Sequence, residues 1–202
     1  MPHSEFQPAV DLVLAHEGDR FYHNSETGEV SRFGITLKLL DGEGMDVDAA
    51  FIRDLTRAQA SDLYRSIFWD RYGYGRFQSQ RLANLVFDAA VNMGPGTSAR
   101  LLQSALSAAG ASVSQDAILG PRTLAAVGQV PVDELLRRFC MKRVALYSLI
   151  AKRRPELAPN LRGWTERAYC QGFMGGCRIC RSGAPGKVPL NGRQPDPKPG
   201  VR

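Results

Sequence analysis

Glu17 is a carboxylic acid at a position where helical spacing calls for an apolar side chain. Phe6, Val10, Val13 and Leu14 recur along one helical stripe, and Glu17 falls three residues after Leu14 and four after Val13, on the same side. Ser4 suits the N-cap of this helix and Gly18 the residue just past its end, which puts Glu17 in the last turn, at the negative end of the helix dipole. Desolvation and the dipole both disfavour an ionised carboxyl there, and a carboxyl that keeps its proton near neutral pH is what general acid catalysis requires. Glu26 and Ser31 follow on a segment with the turn chemistry of Asn24, Ser25, Thr27 and Gly28, which predicts a small hairpin folding back over the end of the helix. Such a hairpin can set a second carboxylate, on a polar turn, across a cleft from Glu17. An acid that protonates a leaving oxygen, with a partner that acts on water or on a developing oxocarbenium ion, is the requirement for cleaving a sugar bond. Taken alone, two glutamates nine residues apart are equally what a solvated surface shows.

The elements that must hold these groups are almost all helical. Thr56-Arg-Ala-Gln59 forms a capping box that opens a helix through Leu63, Tyr64, Ile67 and Phe68. Ser79 to Met93 carries Leu82, Leu85, Val86, Ala89 and Ala90 on one face and stops at Gly94. Short helices are predicted over 98–108 and from Pro121 to Val127, a long one over 132–153, and a last one over 160–173. The result is one mainly α domain of α+β type, with a small β flap beside Glu17 and a tail.

The formal net charge of +6 belongs to that tail. Residues 1–177 hold 20 basic and 19 acidic side chains, whereas residues 178–202 hold Arg178, Arg181, Lys187, Arg193, Lys198 and Arg202 against Asp196. The tail is rich in Pro and Gly and poor in large apolar residues, so the expectation is disorder, with at most a weak attraction to anionic surfaces. With no basic stripe through the folded part, specific nucleic-acid binding is not expected. No run of about 18 apolar residues is present to span a membrane. The first residues lack the basic and apolar regions of a signal peptide, so the expectation is synthesis in the cytosol and action elsewhere only after release or export. Cys177 and Cys180 form a single CxxC with Cys170 nearby, but His3, His16 and His23 lie at the other end of the chain. Free thiols are therefore favoured over a metal site or a disulfide.

Glu17-Gly18, then Gly28, then Ser31-Arg32-Phe33-Gly34-Ile35-Thr36 resembles the opening motif of glycoside hydrolase family 108, the phage-endolysin and secretion-associated muramidases. Leu55-Thr56, Ala58 to Ala60, Tyr64 and Phe68-Trp69 are similar to the family's next helix, and Phe87 to Gly94 to its central one. Leu102 to Leu106, Asp116, Gly120 to Thr123 and Gly163 to Arg167 resemble its peptidoglycan-binding-like C-terminal half. The resemblance implies a lysozyme-like helical fold that cleaves the bond between N-acetylmuramic acid and N-acetylglucosamine in peptidoglycan, with the motif glutamate, Glu17, as proton donor. The family's aspartate falls on Glu26 and its threonine on Ser31, both substitutions, and Asp19 and His23-Asn24 also depart from its loop. It further implies a catalytic part over 4–94 and a peptidoglycan-binding-like part over 95–175 packed into the same globule, followed by the tail at 176–202.

Asn92 stands one helical turn after Asp88 and could line a glycan groove or serve the interior, where Asp88 is better placed. Trp69 and Tyr72, with Tyr74, could stack on sugar rings or fill the core. His16 points away from Glu17 on a helix, and Arg137-Arg138, Lys142-Arg143 and Lys152 to Arg154 read as the solvated face of the long helix. The leading expectation is a monomeric muramidase needing no cofactor and no metal, acting on peptidoglycan in the periplasm or cell wall after passing a holin or a secretion system. A lytic transglycosylase, which needs one acid/base only, and a non-catalytic peptidoglycan-binding or assembly protein are the alternatives.

Overall fold

The first helix, α1 (Phe6–Glu17), turns Phe6, Ala9, Val10, Val13 and Leu14 into the core, as the spacing of its apolar residues requires. The computed structural model describes residues 4–170. The start of α1 is held differently from the expected Ser4 cap. Glu5 occupies the cap position without a side-chain bond, while the buried Ser4 hydroxyl donates to the Tyr74 carbonyl at 2.9 Å. Ser4 is drawn away from its own helix because its hydroxyl must be satisfied where it is buried. Gln80 secures the helix start instead, accepting from the Glu5 N–H at 2.6 Å and donating to the Glu5 carbonyl at 2.8 Å. At the other end Gly18, with φ 73° and ψ 178°, breaks the helix and donates to the Leu14 carbonyl at 3.0 Å.

The β segment is a three-stranded antiparallel sheet of β1 (Tyr22–His23), β2 (Val30–Arg32) and β3 (Ile35–Thr36), in the order β1-β2-β3. Ser31 is the central residue, opposite Tyr22 on one side and Thr36 on the other. Asn24 organises the first loop by accepting from the backbone N–H of Glu26 and of Thr27 at 2.9 and 3.2 Å. The second loop is the pair Phe33-Gly34, with φ of 52° and 75°, the two positive values a type I′ hairpin demands. A phenylalanine is unusual there, and its ring is held buried while its carbonyl accepts from the Tyr64 hydroxyl at 2.8 Å.

Two short helices, α2 (Leu37–Gly42) and α3 (Ala49–Asp54), follow, capped by the side chains of Thr36 and Asp48. In α4 (Arg57–Tyr64) the Thr56 and Gln59 capping box is formed as expected. The regular helix expected through Phe68 instead widens into a π turn over Arg65–Asp70, which buries Ile67, Phe68 and Trp69 in succession. At the centre lies α5 (Gln80–Met93), capped by Ser79, ended by Gly94, and packed against both α1 and α6 (Pro95–Ala108). The expected helices over Pro121–Val127 (α7) and Val132–Arg153 (α8) are present with those bounds. After a 3-10 turn over Pro155–Asn160 comes α9 (Leu161–Cys170), packed on α8. The expected end of this helix at 173, the tail at 176–202, and the pairing of Cys177 and Cys180 with Cys170 lie outside the described residues and side chains.

The apolar core is continuous from Phe6 and Val13 through Phe87 to Leu102, Phe139 and Trp164, so the last two long helices close over the same interior that α1 faces. Arg143 corrects the expected solvated face of α8: it is fully buried, while Arg137 on the other side of the helix is exposed. Helical geometry accounts for the difference, because Arg143 lies three and four residues from Cys140, Phe139 and Tyr147, all of which are buried.

Candidate active site

Five titratable side chains from four helices converge at the end of α1. Asp88 on α5 is fully buried and stands 2.8 Å from a guanidinium nitrogen of Arg143 and 3.0 Å from His16 Nδ1. Arg167, from α9, lays one edge of its guanidinium on the same carboxylate, with Nε at 3.0 and 3.2 Å from the two oxygens and Nη2 at 2.8 Å from Oδ1. Its remaining nitrogen, Nη1, donates to Oε1 of Glu17 at 2.8 Å. Burial, the largest single influence on Asp88, pushes its carboxyl up, but Arg167, Arg143 and His16 together outweigh it and hold the group well below the usual carboxylate range.

Glu17 is placed as its stripe predicts, with its side chain only 11% exposed, but its surroundings are not purely apolar. A cation reaches it from the far end of the chain. Above it lies the β2–β3 turn: a Cβ built on Gly34 would come within 2.7 Å of Glu17 Cγ and 2.6 Å of the Tyr64 hydroxyl oxygen. Only a residue without a side chain fits this approach at positive φ. Burial pushes the Tyr64 phenol up, so it remains a hydrogen-bond donor to the turn. Arg32 ties the same hairpin down by donating to the carbonyls of Asp19 at 3.1 Å and of Arg53.

The other predicted site residues scatter. Glu26 sits exposed in the β1–β2 turn, and no hydrogen bond or ion pair joins it to Glu17 among the described residues. Ser31 is half-buried at the middle of the sheet. Asn92 accepts from the Tyr147 hydroxyl at 2.5 Å, and that hydroxyl accepts from Arg143, so Asn92 joins the buried polar network. Trp69 is 4% exposed and meets Phe6 and Phe87 edge-on, with ring centroids 5.6 and 5.2 Å away, which makes it a core side chain. Tyr72 is 37% exposed and lines a shallow cleft of about 210 Å³ with Arg71, Arg76 and Leu119, and Glu17 is not part of that lining. Sequence reading left Arg167, Arg143 and His16 out of the site. The signal that singled out Glu17, a charge on an apolar stripe, was available for Arg167 beside Trp164 and Ala168 and for Arg143 beside Phe139 and Tyr147.

Among known proteins, residues 10–94 match the family model described as Glycosyl hydrolase 108. The chain carries a glycosyl hydrolase 108 domain. Residues 97–169 match a second model, described as Predicted Peptidoglycan domain. The solved structure titled "Structure of Brucella abortus SagA" is similar, with a TM-score of 0.63 and 25% identity over 84% of this chain and 97% of that one. No curated protein matches the sequence. The two domains together mark a glycoside hydrolase directed at peptidoglycan. Glu17 and Asp88 belong to the glycosyl hydrolase 108 domain, whereas Arg143 and Arg167 come from the peptidoglycan domain, so the charged cluster is shared between them.

The approach of Gly34 to Glu17 can be tested within the glycosyl hydrolase 108 domain. In Gly34→Ala the new methyl group must displace the Glu17 side chain or the buried Tyr64 hydroxyl, and positive φ adds about 1–2 kcal/mol of backbone strain. The expected result is a lower thermal midpoint, because the buried Tyr64 hydroxyl or the Glu17 side chain must give way to the methyl group. A wild-type midpoint would show that the turn takes the methyl group without displacing either.

Proposed function

We propose that the protein is an N-acetylmuramidase that cleaves the β-1,4 bond between N-acetylmuramic acid and N-acetylglucosamine, with Glu17 as general acid. The observation that carries this reading is the carboxyl group at the end of α1, almost covered, held by Arg167 through one oxygen and overhung by Gly34. Oε2 of Glu17 accepts no hydrogen bond among the described residues, which leaves it to bear the transferred proton. That proton goes to the glycosidic oxygen as the bond from the muramic acid C1 breaks. Water then delivers hydroxide to C1 and its remaining proton restores the acid. Glu26 and Ser31, on the loop and sheet that flank Glu17 in sequence, position this water or stabilise the cation at C1. The acting protein reaches peptidoglycan in the periplasm or wall through a holin or a secretion system, as a monomer.

One observation favours a second reading. Glu26 is exposed and unconnected to Glu17 among the described residues, and a lytic transglycosylase needs a single acid/base that closes an anhydro ring in place of adding water. The mass of the products separates the two: digestion of purified sacculi by the muramidase gives new reducing ends one water heavier than the anhydro form. Finding anhydro ends alone would overturn the muramidase reading in favour of the second.

A further inference from the structure

We infer that Arg167 is a positioning residue for the reaction, fixed by Asp88 so that it presents Glu17 in one geometry; this rests on the proposed role of Glu17 as acid. The guanidinium is a rigid plane, and its two edges are used separately here. Nε and Nη2 grip Asp88, and Nη1 is thereby aimed at Glu17 Oε1, 2.8 Å away. Asp88 is itself pinned by Arg143 and His16, so the plane of Arg167 has little freedom to follow a wandering glutamate. The Glu17 side chain has three rotatable bonds and sits in the last turn of α1, beside the bend at Gly18, where the backbone alone does not fix it. Anchoring Oε1 leaves Oε2 as the oxygen that hands its proton to the leaving group. After that transfer the carboxylate formed lies against a permanent cation, which stabilises it until water returns the proton.

Arg167 lies 150 residues from Glu17, on the helix that closes the peptidoglycan domain. The acid of the glycosyl hydrolase 108 domain is therefore completed by its neighbour, and the second domain contributes to turnover as well as to substrate contact.

The test uses the full-length protein with Arg167→Lys and Arg167→Gln, scored by thermal midpoint and by kcat and KM on soluble peptidoglycan fragments. Lysine keeps a cation against Asp88 but lacks the planar fork, so Arg167→Lys should fold and show kcat lower by about tenfold to a hundredfold, with KM changed less than twofold. Arg167→Gln should lose at least as much in kcat. An effect confined to KM, or a kcat within twofold of wild type in folded Arg167→Lys, would overturn the inference. Failure of both variants to fold would overturn it as well, by assigning Arg167 to the architecture alone. Should Glu17→Gln itself turn over substrate normally, the underlying assignment of the acid fails; if Glu17→Gln is dead and the Arg167 variants are unimpaired, only the present inference falls.

Discussion

Glu17→Gln should slow the clearing of purified sacculi by about a hundredfold to ten-thousandfold, the usual loss when a general acid is removed. Glutamine has the same shape and cannot donate a carboxyl proton, so the change isolates chemistry from packing. The amide oxygen can still accept from Arg167 Nη1, and Asp88 keeps its other partners, so the buried cluster is expected to survive. The thermal midpoint should consequently stay close to wild type, and binding to intact sacculi in a pull-down should be retained. This combination separates an enzyme from a non-catalytic wall-binding protein, for which the substitution would change nothing in clearing or in the cell. Clearing at the wild-type rate would refute the role assigned to Glu17.

The largest effect on stability is expected from Asp88→Asn. Asp88 is the counter-charge for two buried guanidinium groups, and removing one partner of a buried ion pair typically costs about 3–5 kcal/mol because the other charges are left uncompensated. For a chain of this size that corresponds to a fall in thermal midpoint of roughly 6–20 °C. The effect carries a pH signature. The Asp88 carboxyl is held well below its usual value in the folded protein, so its contribution is fully present above the unfolded value of 3.8 and is lost as pH falls below it, toward the folded value. The gap in midpoint between wild type and Asp88→Asn should therefore be constant from neutral pH down to about 5 and narrow below about pH 4. A gap unchanged down to pH 2.5 would show that the charge of Asp88 does not support the fold.

Much of the architecture was legible because helices announce themselves locally. The capping box at Thr56, the stop at Gly94, Pro121 in a first turn and the long run over 132–153 depend on residues a few positions apart, and the structure places these elements there. The start of α1 was not legible from Ser4 alone, since its hydroxyl is taken by a carbonyl 70 residues away. The π turn at Arg65–Asp70 escaped for a similar reason: the widening that buries Trp69 is set by Phe6, Phe87 and Tyr74 packed around it, not by its neighbours in sequence.

At the site, the sequence by itself determined that Glu17 is an acid on a buried face at a helix end, followed by a glycine-bearing hairpin. Periodicity reports which way a side chain points, and that suffices for Glu17. The same reasoning suits Asp88 to the interior, whereas the charge of Arg143 led its helix face to be read as solvated, and periodicity is silent about what either one meets. Only the tertiary structure decided that Arg143, Arg167 and His16 share the one buried carboxylate of Asp88 and that a single guanidinium edge is left over for Glu17. The reason is physical. Burial of a charge is dictated locally by its helix face, while its neutralisation depends on partners that chain folding brings from 79 and 150 residues away.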